Sequence, residues 1–388
     1  MRRECCLGSP LMKLLPGLFV VLQSLVVIAD AQTTPPTPTA RPVPISSPEI
    51  KEDHHVVFRL KAAQAREVSV SGQGFARAPM TRDAASGEWS VTVGPVEPGV
   101  WEYSFNVDGV DMIDSANPAI KPQRQPKTSI LQIPGTPPLV WDFQNVPHGT
   151  LHEHTFQAAH SVRRFHVYTP PGYERDSAGK FPVLYLVHGF GDNDASWSAH
   201  GKANWILDNL IAKGSAKPMI VVMPDGHPLA PGTGPRGDYG KANSEAFEAE
   251  LVNEILPLIE STYRVRASAD GRAIAGLSMG GGHSLYTGLR HSDLFSAIGA
   301  FSAGVPSQES LNQAFDNAGN LNEKLRLFWI ACGKSDSLVD RNRKLDAQLT
   351  EKGINHTWVE SEGGHAWPVW RQYLAQFVPL LFVEAKAP

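Results

Sequence analysis

From Val56 onward, apolar and polar residues alternate in short runs: Val56-Val57-Phe58-Arg59-Leu60, Glu67-Val68-Ser69-Val70-Ser71-Gly72, Glu88-Trp89-Ser90-Val91-Thr92-Val93, and residues 101–109. A period of two buries one face of a strand, and the intervening Gly, Pro and Asp end each run early. The pattern predicts a small all-β sandwich. Beyond Gly149 the texture changes. Residues 163–168, 181–188, 219–223, 272–276, 325–332 and 356–359 read as strands, and 204–212, 246–263 and 340–352 as helices. Within 246–263 the apolar Phe247, Leu251, Ile255, Leu258 and Ile259 share one face. Strands alternating with helices of this length predict an α/β fold, a doubly wound and mostly parallel sheet with helices on both faces.

Two stretches punctuate the pattern. Residues 32–48 are dense in Pro, Thr and Ser and read as an extended spacer, and Pro134-Gly135-Thr136-Pro137-Pro138 marks a junction. At the start, Met12-Lys13, an apolar run over 14–28 and Ala29-Asp30-Ala31 have the form of a cleavable secretory leader. That run is too short and too weakly flanked for a transmembrane span. The divisions are therefore a leader over 1–31, a linker over 32–49, an immunoglobulin-like sandwich over 50–134, a linker over 135–148 and an α/β domain over 149–388. The expected location is secreted or periplasmic.

Composition narrows the partners. With 35 Lys and Arg against 39 Asp and Glu, the 388-residue chain has a net charge of −4 and no basic field for nucleic acid or anionic lipid. Cys5 and Cys6 lie in or ahead of the leader, with no lipobox before them. Cys332 then has no partner, so the mature chain relies on its core rather than on disulfides.

One stretch carries chemistry. Ala275-Gly276-Leu277-Ser278-Met279-Gly280-Gly281-Gly282-His283 joins a strand to an apolar helix. G-x-S-x-G in that setting is a nucleophile elbow, a turn so tight that Gly276 and Gly280 must lack bulk. A serine hydroxyl needs a base, and the base an orienting acid. His283 sits a turn inside the helix, projects along it and reads as a packing residue. In the chain order Ser, acid, His, Asp336 follows the strand over 325–332 and His365 the strand over 356–359. Both occupy carboxyl ends of strands, where open α/β sheets place their sites. Asp340 reads better as a helix cap, Glu360 and Glu362 remain rival acids, and His356 lies at the wrong end of its strand. The N–H groups of Met279 and of Phe190, in His188-Gly189-Phe190-Gly191, are the candidate oxyanion donors, with His188 bracing the loop. No metal or cofactor is expected, because His152-Glu153-His154 and His54-His55 have too few companion ligands.

Taken in order, YLVHGFGDNDASW, VVMPDG, FEAELVNEILPLIESTYRV, AGLSMGGGHSL, ACGKSDSLV and GGHAWPVWRQYL closely resemble the esterase D-like group of α/β-hydrolases. That group includes the feruloyl and acetylxylan esterases of carbohydrate esterase family 1 and the enterochelin esterases. The resemblance runs from about Gly149 to Phe382. It implies an α/β-hydrolase fold with Ser278 as nucleophile, Asp336 as acid and His365 as base. Residues 99–109 with Asp114-Ser115-Ala116-Asn117-Pro118 resemble an early-set module related to glycogen-binding domains. The implied activity is that of a secreted serine carboxylic-ester hydrolase. It would work through an acyl-enzyme on feruloyl or acetyl esters of xylan or its fragments. The implied partner is an ester-decorated polysaccharide or oligosaccharide, with no nucleic acid and no stable membrane association after leader cleavage; the oligomeric state is left open. Trp197, Tyr239 and Trp367 are candidates to stack a feruloyl ring or a sugar. Three other readings stay open. An enterochelin-type esterase needs a basic mouth, to which the loop over 226–245 offers Arg236 and Lys241. A non-catalytic carbohydrate binder would use Trp89 and Trp101 as a platform. An acyltransferase of the mycolyl type would admit a sugar hydroxyl in place of water.

Overall fold

The alternating runs pair into two antiparallel sheets. In one, Val56–Lys61 pairs with Glu88–Val93, flanked by Glu49–Ile50 and Thr81–Arg82. In the other, Gly99–Val107 pairs with Val68–Gly72, Val110–Met112 and Ser129–Ile133, and Phe75–Pro79 forms the edge. Inward-facing Val56, Phe58, Val70, Phe105 and Leu131 fill the space between them. Trp89 is buried there, its indole donating to the Ala62 carbonyl at 2.9 Å, so it is a core residue rather than a glycan platform. Trp101 is half-buried, its ring lying over Gly74 and Gly99.

This arrangement comes from a computed structural model, which describes residues 45–158, 161–230, 239–316 and 318–383. The leader, Cys5, Cys6, Arg236 and most of the first linker lie outside the described residues. The sandwich and the α/β domain pack within one compact unit. Among the described residues no helix is long and apolar enough to cross a membrane.

The α/β domain is built on eight strands: β1 (Thr150–Gln157), β2 (Val162–Thr169), β3 (Val183–Val187), β4 (Ile220–Pro224), β5 (Arg272–Leu277), β6 (Ala297–Phe301), β7 (Leu327–Gly333) and β8 (Thr357–Ser361). Their spatial order is 1-2-4-3-5-6-7-8. β2 runs antiparallel to both neighbours and every later pairing is parallel. Strands β3 to β6 are buried on both faces, which is why they lack a polar alternation. β1 and β6 go beyond the strands expected from the pattern.

The helix expected over 246–263 begins earlier, at Tyr239, and contains a π-helical turn at Leu251–Ile255 before Leu256–Thr262. Phe247, Leu251, Ile255 and Ile259, all fully buried, recur every four residues. In an α-helix four residues overshoot one turn by about 40°, and the wider π turn takes that drift back. It also shifts the buried face, so Leu256 rather than Leu258 completes it.

Candidate active site

The link between β5 and the helix Met279–Arg290 is strained as the glycine pattern requires. Ser278 has φ 53° and ψ −114°, a backbone region that a side chain disfavours by about 1–3 kcal/mol. Three hydrogen bonds hold it there. Its N–H donates to the Phe301 carbonyl at 2.8 Å, and its own carbonyl accepts from Gly304 at 2.8 Å and Gly282 at 3.0 Å. Gly276 and Gly280 supply room rather than unusual dihedrals. A Cβ at 276 would lie 2.5 Å from the Gly280 carbonyl carbon, and one at 280 only 2.3 Å from the Val187 oxygen.

Ser278, Asp336 and His365 come together as one hydrogen-bonded chain. His365 Nε2 lies 2.9 Å from Ser278 Oγ, and its Nδ1 lies 2.9 and 3.0 Å from the two Asp336 oxygens. Asp336 also accepts the Leu338 N–H at 2.8 Å. Burial alone pushes the Asp336 carboxyl up, but His365, the Leu338 N–H and the Ser302 hydroxyl outweigh it and hold the group below its ordinary value. An ionised acid on Nδ1 leaves Nε2 free to take the serine proton. Ser302, itself at φ 47°, also accepts the Trp370 indole N–H at 3.0 Å. The Trp370 ring stands edge-on to the His365 imidazole, centroids 4.9 Å apart. Sequence reasoning missed both supports. Trp370 lies within the GGHAWPVW motif that carries His365, but Ser302 follows the unpredicted β6 and had no signal.

The rival residues fall elsewhere. Asp340 is exposed and pairs with Arg343, which also holds Glu360; Lys334 pairs with Glu362; His356 pairs with Asp346. His283 is buried, its ring stacked on Phe247 and its nitrogens facing the Gly226 carbonyl and the Ser244 hydroxyl. His152 and His154 meet Thr169 and Tyr263.

The loop after β3 lies against the elbow, since a Cβ on Gly189 would sit 3.4 Å from Ser278 Cβ. His188 braces it: Nδ1 meets the Gly189 carbonyl at 2.9 Å, while Nε2 receives the Gly226 N–H at 2.9 Å and faces Asp225 at 3.2 Å. Met279 opens its helix, so its N–H has no acceptor within that helix. The expectation for Trp197 needs correction. Trp197 and Trp367 are each 1% exposed and pack edge to face against one another, so Trp197 offers no face to a ligand, whereas an edge of Trp367 lines the pocket at Ser278. Their bulk is used in the core under helix Trp367–Phe377. The exposed ring is that of Phe190, 64% accessible, with Tyr239 and His227 edge-on beside it.

A pocket of about 160 Å³ opens at Ser278 and His365, and four of its lining residues come from the sandwich: Gln73, Glu102, Lys121 and Gln123. Lys121 is buried and pairs with Glu102 at 3.1 Å and with Asp192, in the loop after β3, at 3.3 Å. No sequence motif links these residues to Ser278; only the docking of the two folds brings them together.

Comparison with known proteins agrees with this geometry. The chain is 31% identical over 344 residues to an endo-1,4-beta-xylanase/feruloyl esterase of Xylanibacter ruminicola, an alignment covering 86% of this chain but only 46% of that relative. It is 28% identical to an acetyl esterase of Caldicellulosiruptor saccharolyticus, over 50% of this chain and 80% of the other. Among solved structures, a ferulic acid esterase of Anaeromyces mucronatus in complex with ferulic acid superposes with a TM-score of 0.54 at 27% identity, covering 62% of this chain and 93% of that one. An enterobactin esterase of Shigella flexneri shares the fold over 84% of this chain and 92% of its own, with a TM-score of 0.60 at 20% identity. Residues 157–381, more than half of the chain, match the family described as "Putative esterase". With its eight-stranded α/β-hydrolase sheet and the elbow at its centre, the chain belongs to the Esterase family.

Proposed function

We propose that this protein is a secreted serine carboxylic-ester hydrolase acting on feruloyl or acetyl esters of xylan or its fragments. The observation that carries the reading is the Ser278–His365–Asp336 chain of hydrogen bonds on a strained elbow. Ser278 Oγ attacks the ester carbonyl carbon as its proton passes to His365 Nε2. The resulting oxyanion takes hydrogen bonds from the Met279 and Phe190 N–H groups; losing one such donor typically costs about a hundred- to a thousandfold in rate. The C–O bond to the alcohol then breaks, and His365 returns the proton to the departing oxygen. A water molecule, deprotonated by the same imidazole, attacks the acyl-enzyme and releases the acid. Asp336 holds the imidazolium in place throughout. The relatives named for feruloyl and acetyl esters support the substrate class, and the leader over 1–31 supports export.

A catecholate trilactone is the second reading. Arg124 and Lys127, exposed in the sandwich loop beside Phe190, provide the basic mouth that an anionic substrate needs and that the loop over 226–245 alone did not offer. Assaying wild type and Ser278→Ala on methyl ferulate, acetylated xylan and a catecholate trilactone separates the two. Turnover of the first or second, abolished by Ser278→Ala, supports the xylan reading, and turnover of the trilactone alone replaces it. Activity on none of the three, or full activity in Ser278→Ala, removes the serine-esterase reading.

A further inference from the structure

The pocket at Ser278 is asymmetric, and its asymmetry has chemical meaning. In the reaction proposed above, the departing alcohol oxygen must face His365 Nε2, which supplies its proton. The hollow that contains His365, Ala366 and Trp367 is the one closed by Gln73, Lys121 and Gln123 of the sandwich. A second hollow, of about 400 Å³, reaches Met279 and is lined by Tyr286, Val305 and Pro306 together with Lys241, Ser244 and Ser307, but by neither Ser278 nor His365. The first is polar and sits on the leaving-group side.

We infer that the sandwich is the alcohol-side wall of the active site, where the Gln73 and Gln123 amides hydrogen-bond hydroxyl groups of the departing sugar. This rests on the ester-hydrolase reading. The Oε1 of Gln123 is buried with no hydrogen-bond partner among the described residues. A buried amide oxygen left without a donor costs about 1–3 kcal/mol, and a substrate hydroxyl supplies that donor. Gln73 uses its Oε1 to accept the Glu102 N–H at 3.3 Å, which leaves its NH2 group to donate. The wall is rigid. Beyond the Lys121–Asp192 ion pair, the Arg124 N–H donates to the Gly191 carbonyl at 2.9 Å and Ser196 Oγ to the Pro122 carbonyl at 2.9 Å. Asn193 Nδ2 reaches the Gln123 carbonyl at 3.4 Å. The backbone over 121–124 is thus pinned to the loop that carries Phe190, which places the Gln123 side chain at the pocket before substrate arrives.

The test compares two esters of one acid, the methyl ester and the arabinoxylo-oligosaccharide ester, in wild type, Gln123→Leu, Gln123→Asn and Gln73→Leu. The expected result is about a tenfold fall in the ratio of kcat/KM for the oligosaccharide ester to that for the methyl ester, the size of one lost hydrogen bond. A ratio that stays within twofold in all three variants overturns the assignment. Calorimetric binding of the unesterified oligosaccharide to Ser278→Ala, with and without Gln123→Leu, keeps the two readings apart. If no ester is cleaved yet the oligosaccharide binds and Gln123→Leu removes it, the hydrolase reading fails and the sugar subsite stands. If esters are cleaved but both substrates fall equally, the subsite fails and the hydrolase reading stands.

Discussion

Replacing His283 with Asn separates packing from chemistry at the motif that first pointed to a site. The ring is fully buried, 4.6 Å from Phe247 at an interplanar angle of 9°, with Nε2 3.0 Å from the Gly226 carbonyl and Nδ1 3.0 Å from Ser244 Oγ. Burial lowers its pKa from 6.5 to about 4, although the Gly226 carbonyl pulls the other way. Because the folded value is the lower one, the unfolded chain takes up the proton first as pH falls. The neutral ring therefore leaves stability intact above pH 6.5 and erodes it between 6.5 and 4. A gap of about 2.5 pH units at about 1.4 kcal/mol each makes the full erosion about 3–4 kcal/mol, of which about 3 kcal/mol is reached by pH 4, where the folded ring is half protonated. His200 and His227, each lowered to about 3 by burial, steepen the same acid limb, so the informative quantity is the difference between wild type and variant. Urea unfolding from pH 8 to pH 4 should show His283→Asn less stable at pH 8, where only lost packing counts. That deficit should shrink by about 3 kcal/mol by pH 4, while kcat at pH 8 stays within about threefold. Parallel stability curves would refute the buried neutral ring. A thousandfold loss of kcat in a folded variant would refute the division of labour between His283 and His365.

Three further substitutions or treatments probe the same framework. Asp336→Asn should lower kcat by about 10⁴ with the near-UV circular dichroism retained, since the wrong tautomer of His365 then faces Ser278; a loss under tenfold would remove Asp336 from the relay. The Cys332 thiol, pushed up to about 12 by burial and then by the Asp336 charge, should resist iodoacetamide at pH 8 in native protein and react in urea; rapid native labelling would contradict its burial. Gly280→Ala places a methyl 2.3 Å from the Val187 oxygen and 2.5 Å from the His188 oxygen, both backbone, and should cost about 3 kcal/mol or more in unfolding free energy; an unchanged Tm would show that the elbow has slack.

What was legible in the sequence was what a short window determines. Ser278 announces itself because its elbow needs glycine at 276 and 280, and Asp336 and His365 because each follows a strand in the order the chemistry needs. The strand β6 was not legible. Ala297-Ile298-Gly299-Ala300 has little side chain to show a period, and its smallness answers to a distant partner: a Cβ on Gly299 would lie 2.8 Å from Phe377 Cζ and from Ala275 Cβ. Missing β6 meant missing Ser302 at its end. Trp197 failed differently, and Trp367, which meets the pocket only by an edge, did so in part. Lying close to motifs in sequence suggested a role at the surface, but large rings usually serve the core, and these two fill it.

The sandwich wall shows why the remainder needed three dimensions. Oxyanion stabilisation depends on donors fixed before reaction, yet Gly189-Phe190-Gly191 is a sequence of high backbone freedom, with Gly191 at φ 90°. Such a loop is held in place only by its neighbours. On one side His188 joins it to Gly226 and Asp225 within the α/β domain. On the other, Lys121 grips Asp192, and the Arg124 N–H closes on the Gly191 carbonyl. Arg371, in the helix that follows His365, extends the same seam by donating to the Val100 carbonyl at 2.7 Å and the His200 carbonyl at 3.2 Å. The loop carrying Phe190 and the helix following His365 are thus both fastened to the sandwich. A domain read from sequence as a separate module thereby fixes the geometry on both sides of Ser278.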